Sequence, residues 1–251
     1  RKDGNDMYEL LKDKGYSIVR TKEEFEKIKN GKVWGIFTNA DMSYEIDRDA
    51  KEPSLSEMTK KAIEILSKNP NGFVLMVEGS KVDWAAHANN PATIVREIKA
   101  FDDAVGIALS YAKLNNKTLL ISSSDHGNSG ISIGNKSTSG NYPQIPLDEF
   151  VSTIRNVNMG EEKLSKLIFE DISKTEELIT KHLGFKPTKE EISRINEVVN
   201  TFDKTKTDYL RMRNSNTKAD EIRYELGRMI SERSKIGFTT TGHTGEDVPL
   251  Y

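Results

Sequence analysis

Four histidines stand in this 251-residue chain, and three of them fall in clusters with Gly, Asp or Glu that follow strand-like runs. The first cluster is Glu78-Gly79-Ser80-Lys81-Val82-Asp83-Trp84-Ala85-Ala86-His87. Asp83 and His87 are four apart, so one helical turn places both on a single face. A carboxylate and an imidazole converging in this way suit zinc. Glu78 leaves the end of the preceding run as a separate oxygen donor, suited to a harder ion such as magnesium. The second cluster is Ser124-Asp125-His126-Gly127-Asn128. Adjacent residues on a regular strand point to opposite faces. Asp125 and His126 can therefore share a metal only where the strand ends and the backbone turns, and Gly127 is expected to supply that freedom. The third cluster, Thr241-Gly242-His243-Thr244-Gly245-Glu246-Asp247, reads as a loop in which His243 can approach a metal closely. The fourth histidine, His182, sits near an expected helix C-terminus, where the helix dipole alone favours it. It receives no functional role.

The elements that must carry these clusters alternate over the first 150 residues. Met7 to Lys14 reads as a short helix and Tyr16–Arg20 as a β-branched run. Thr21 caps the next helix, with Glu23 and Glu24 in its first turn, and Gly31 is expected to end it. Val33–Phe37 follows as a strand. Ser54 and Glu57 form a capping-box pattern ahead of Met58, Ala62, Ile65 and Leu66 on one helical face. Phe73-Val74-Leu75-Met76-Val77 and Thr118-Leu119-Leu120-Ile121 are continuous apolar runs, the pattern of strands buried on both faces of a parallel sheet. Between them, Pro91 opens a long helix through Lys113, where its missing N–H costs little. Strand, helix, strand at this spacing implies βαβ units and an α/β fold with a mostly parallel sheet covered by helices. Metal and cofactor sites in such sheets lie at the carboxyl ends of the strands, where the three clusters fall.

Composition shifts after about residue 150. Residues 152–235 are helical in pattern and rich in charge, with Pro187-Thr188 marking a helix start. The division expected is 1–151 as α/β core, 152–235 as a helical insertion or cap, and 236–251 as a return strand with the His243 loop. Charged residues make up 30% of the chain, yet net charge is −2, so no basic field points to nucleic acid. The absence of cysteine excludes disulfides and thiolate metal sites. No apolar run approaches the ~20 residues of a membrane span, and no signal peptide is present. The chain opens on Arg1-Lys2-Asp3-Gly4, which reads as a fragment boundary.

At Pro53–Thr59, Glu78–Pro91, Ser124–Asn128 and Gly242–Tyr251 the sequence resembles the alkaline phosphatase family, in particular its bacterial type. The resemblance implies a three-layer αβα fold with a helical insertion. It implies that Asp83, His87 and His243 hold one zinc, that Asp125 and His126 hold a second, and that Glu78 binds magnesium. Trp84 occupies a substrate-neighbouring place where some members carry Lys or His. The implied reaction is hydrolysis of phosphate monoesters through a phosphoserine, with two zinc ions about 4 Å apart clamping an in-line displacement. The family's nucleophilic serine lies in an Asp-Ser-Ala-like stretch that this chain lacks, so the resemblance implies no catalytic nucleophile here and no turnover by the fragment alone. It also implies an extracytoplasmic protein and allows a homodimer. Two rival readings stand beside it. Cofactor-independent phosphoglycerate mutases share an Asp-His-Gly-Asn stretch, but they usually carry Asn-Pro where this chain has Gly245-Glu246-Asp247. The other rival is a non-catalytic domain whose charged helices between 152 and 235 bind a partner.

Overall fold

Capping chemistry starts the first elements where the sequence places them. The computed structural model describes residues 6–200 and 218–251, and these divide into two units. The first unit comprises residues 1–79 and 99–120. Its helix α1 (Met7–Asp13) begins where the Asp6 carboxylate accepts from the Tyr8 N–H. Strand β1 (Tyr16–Val19) follows. Helix α2 (Lys22–Lys27) opens on a reciprocal box between Thr21 and Glu24. It stops at Lys27 rather than at Gly31, because Ile28 already has extended backbone. Strand β2 (Lys32–Gly35) pairs with β1 in parallel, Tyr16 facing Lys32 and Val19 facing Gly35. Helix α3 (Leu55–Leu66) opens on the Ser54–Glu57 box. Val19, Tyr44, Ile63 and Ala104 are buried here, and Phe25 meets Phe37 edge-on at 5.4 Å.

The apolar runs behave differently from the fully buried strands expected. Phe73–Val77 and Thr118–Ile121 form no helix and join no ladder among the described residues. Val74 is 96% exposed and Met76 83%, while Phe73, Leu75 and Val77 are half-buried. A strand is covered on both faces only when neighbouring strands and helices flank it; here Phe73 meets Tyr111 of the helix Pro91–Leu114 at 6.1 Å between ring centroids, while Val74 and Met76 lie exposed on the other side.

The second unit comprises residues 80–98 and 121–251. It opens with helix α4 (Lys81–His87) and the first turns of α5 (Pro91–Leu114), the long helix that runs through both units. Two short antiparallel pairs follow. Strand β3 (Gly127–Asn128) pairs with β6 (His243–Thr244), and β4 (Ser132–Ile133) with β5 (Ile236–Gly237). Between them run α6 (Leu147–Asn156), α7 (Glu161–Glu170), α8 (Thr175–Leu183), α9 (Lys189–Asn200) and α10 (Lys218–Arg233). Residues 201–217, part of the charged region, and residues 1–5 lie outside the described residues.

The charged helices enclose a dry core. Leu164, Ile168, Ile179, Leu183, Ile195, Ile222, Leu226, Met229 and Ile230 are each at most 1% exposed. They recur three, four or seven positions apart, the stripe of an amphipathic helix. Thr188 and Glu191 cap α9 reciprocally, and the buried Glu191 receives Arg233 Nη1 at 2.7 Å and Nη2 at 2.9 Å. This bidentate pair ties the start of α9 to the end of α10. Ser231 Oγ then donates to the Ile236 carbonyl, which fixes the turn into β5. The path to His243 thus begins from a rigid helix end.

Candidate metal centre

Helix α4 carries the first pair. Asp83 and His87 share its face, with His87 Nε2 3.3 Å from Asp83 Oδ2. The helix is anchored just past its end. Asn90 Oδ1 accepts from the N–H groups of Ala92 and Thr93 and so caps α5, ahead of Pro91 at the first helical position. Asn90 Nδ2 and the Thr93 hydroxyl both donate to the same oxygen of Glu161, at 2.6 and 2.7 Å. Glu161 is 1% exposed. A buried carboxylate held by hydrogen bonds is costly to disturb, so α7 fixes the helix that presents Asp83 and His87. The sequence offers little warning of this anchor, since Glu161 reads as an ordinary first-turn acid.

The short ladder between β3 and β6 brings in the other two clusters. Asn128 lies opposite His243 and Gly127 opposite Thr244. The rings of His126 and His243 stack at 3.7 Å between centroids, and those of His87 and His243 lie 5.0 Å apart. The expected reason for Gly127 requires correction. Its backbone is not in the left-handed region, and the turn is made by Ser129 and Gly130, at φ 61° and 52°. A Cβ at Gly127 would meet the end of the exposed Glu246 side chain, which can swing aside.

Two imidazoles are oriented by backbone carbonyls. His87 Nδ1 bonds to the Thr241 carbonyl, and His126 Nδ1 to the Gly127 carbonyl at 2.9 Å. A carbonyl only accepts, so both Nδ1 atoms carry hydrogen, which leaves Nε2 as the atom through which each neutral ring would bind a metal. Those Nε2 atoms face carboxylate oxygens: His87 faces Asp83, and His126 faces Asp125 at 3.4 Å. His243 Nε2 lies 3.5 Å from Asp83 Oδ1. Imidazole nitrogens and carboxylate oxygens gathered in this way can serve as a donor set for a cation. The ligand atoms of Asp83, His126 and His243 all lie within 4.8 Å of one another, and nitrogen with carboxylate oxygen is a donor set that zinc accepts.

Five of the six residues expected to bind metal therefore lie in one unit and converge, although Asp125 keeps 87% of its side chain exposed. Glu78 lies in the first unit, exposed at the end of its extended run. Trp84 is off the Asp83–His87 face, and Lys81 Nζ sits over its ring at 4.1 Å. His182 makes a structural contact, with Nδ1 2.7 Å from Asn158 Oδ1. Burial, and then the nearby charges of Lys181 and Lys163, lower its pKa. The sequence reading assigned no role to Asn128, whose amide donates to Asp83 Oδ1 at 2.6 Å.

These features place the chain among known proteins. It is 36% identical to alkaline phosphatase 4 of Bacillus subtilis over the whole chain and 49% of that relative. It is 33% identical to the repressible alkaline phosphatase of Saccharomyces cerevisiae, over the whole chain and 46% of that relative. The chain thus spans about half the length of these curated relatives. The crystal structure of Thermus thermophilus alkaline phosphatase matches with a TM-score of 0.79 at 25% identity, over all of this chain and 54% of that chain. That likeness extends the α/β reading across both units. The family model for alkaline phosphatase matches residues 1–251, and the chain belongs to the alkaline phosphatase family.

Proposed function

We propose that this chain supplies most of the metal-binding side of a phosphoric monoester hydrolase, with Asp83, His87 and His243 holding one zinc and Asp125 and His126 a second. The observation that carries the proposal is the gathering of Asp83, His126 and His243 within 4.8 Å. Those three residues are drawn from both sets, which supports neighbouring ions in one basin. With divalent ions bound, Asp83, His87, His126 and His243 would present a Lewis acid able to polarise phosphoryl oxygens and lower the pKa of a bound hydroxyl or water. The protein's own part is orientation. The carbonyls of Thr241 and Gly127 hold two rings with Nε2 inward, and outer partners of this kind sustain ligand geometry. Asp83 and Asp125 offset the positive charge that bound ions bring.

Glu78 as a magnesium ligand belongs to the same proposal, as do phosphate monoesters as substrates, an extracytoplasmic location and a homodimer. So does the division into an α/β core (1–151), a helical insertion (152–235) and a closing strand and loop (236–251). Among the described residues no helix is long and apolar enough to cross a membrane. The serine nucleophile comes from the part of the fold that this chain does not span, and the 251 residues alone do not turn over. Incubation with p-nitrophenyl phosphate and zinc tests this: zinc-dependent release of p-nitrophenolate by the chain alone refutes the division of labour. A zinc titration tests the donor set separately. Binding unaffected by replacing both His126 and His243 with Ala refutes it.

A further inference from the structure

Asn128 and Ser129 make no part of the expected donor set, yet they join all three segments that contribute to it. The Asn128 amide donates to Asp83 Oδ1 at 2.6 Å and to the Asp83 carbonyl at 3.2 Å. Its own oxygen lies 2.7 Å from the Ser129 hydroxyl. These partners settle which way the amide points, since the reverse orientation would set two oxygens together at the Asp83 carboxylate. The Ser129 hydroxyl is equally close to the Ala86 carbonyl, so its single proton serves two acceptors. The Ser129 N–H donates to the Gly242 carbonyl at 2.8 Å, and its carbonyl accepts from the Thr239 N–H at 3.0 Å. Ser129 is fully buried and holds φ 61°, a left-handed conformation that costs a serine energy. One residue pair thereby connects α4, the β3 turn and the approach to His243.

We infer that Asn128 is a positioning residue for Asp83 and that Ser129 locks it in place. Both His87 and His243 face the Asp83 carboxylate, through opposite oxygens. Its rotation decides whether those imidazoles converge with it on one ion. The amide of Asn128 fixes that rotation by binding Oδ1, which leaves Oδ2 for the His87 side. It also withdraws charge from Oδ1 without adding a competing ligand. Asn128 faces His243 in the ladder, so the same residue sets the spacing between the two ligand segments.

The inference rests on the proposed metal centre, and the test separates the two. Cobalt(II) serves as the probe, because its visible absorption reports ligand number and geometry. The 251-residue chain is titrated as wild type, Asp83→Ala, Asn128→Ala and Ser129→Gly. Glycine tolerates φ 61°, so Ser129→Gly removes the hydroxyl while leaving the backbone path intact. Removal of such outer partners costs roughly 10- to 100-fold in metal affinity. We expect a loss in that range for Asn128→Ala, about tenfold for Ser129→Gly, and in both an altered cobalt absorption band. If Asp83→Ala binds cobalt as the wild type does, or the wild type binds none, the metal centre fails and this inference with it. If Asp83→Ala weakens binding while Asn128→Ala keeps wild-type affinity and band, the centre stands and the positioning role is overturned. Should Asn128→Ala fail to fold, Ser129→Gly decides alone, and unchanged affinity and band in that variant refute the inference.

Discussion

Gly227 in α10 offers a direct test of how the helical part holds the metal centre. A Cβ built at this position would run into the carbonyl oxygen of Ala88 and lie 3.0 Å from the carbonyl carbon and oxygen of Asn89. Ala88 and Asn89 follow His87 directly, at the end of α4. In an isolated helix Gly→Ala stabilises by up to about 1 kcal/mol. Here the obstacle is backbone, which cannot swing aside as a side chain can. Overpacking of this kind costs about 1–3 kcal/mol, and the rigid obstacle places Gly227→Ala toward the upper end. The net expectation is a loss of about 1–2 kcal/mol. Gly106 in α5 is the control: it is also inside a helix, it is exposed, and nothing lies within 4 Å of its added Cβ. Gly106→Ala should gain about 0.5–1 kcal/mol. At about 2–4 °C per kcal/mol for a chain of this size, the two melting temperatures should separate by several degrees in opposite directions from wild type. Thermal melts followed by circular dichroism measure this. If Gly227→Ala melts at or above Gly106→Ala, the close approach of α10 to α4 is wrong.

Other outcomes follow from the same contacts. Glu191→Ala leaves Arg233 without its bidentate partner and should cost about 2–3 kcal/mol in urea unfolding, below the range for a fully buried pair because a quarter of the Arg233 side chain stays in solvent. Burial pushes Glu191 up, but the Arg233 hydrogen bond, the Thr188 N–H and the Arg233 charge outweigh it and hold its pKa below the ordinary 4.5. Its contribution is therefore complete above that value and is lost as pH falls through the lower folded value. Glu191→Gln should flatten this acid limb of the stability curve, and an unchanged limb counts against the pairing. Zinc at about 100 times its dissociation constant should stabilise the chain by about 2.7 kcal/mol, and His243→Ala should abolish most of the resulting thermal shift. Ser54→Ala removes the cap that accepts the Glu57 N–H and should cost about 1 kcal/mol, measurable by chemical denaturation.

Much of the site was legible before any coordinates. Asp83 and His87 share a helix face because a four-residue spacing requires it once 81–87 is helical, and the boxes at Thr21 and Ser54 are local chemistry that any surroundings preserve. Local rules also located β1, β2 and the long helix from Pro91. They failed where the answer depends on what lies alongside. Phe73–Val77 and Thr118–Ile121 read as strands buried on both faces, but burial belongs to neighbours, and the chain spans about half of its relatives' length. The role of Gly127 was misread for a similar cause, since the left-handed turn falls at Ser129 and Gly130, and Ser129 is held by Gly242 and Thr239 from far along the chain.

Residue types and their spacing by themselves determined the α/β class and which carboxylates and imidazoles deserve attention, because short-range helix and turn preferences act over a few residues; the family entered as a resemblance carried by a few matching stretches. Tertiary structure alone decided that three segments converge, that Glu161 and the Arg233–Glu191 pair anchor them, and that Asn128 grips Asp83. Those contacts join residues far apart along the chain, and their geometry depends on packing and desolvation that no local pattern encodes.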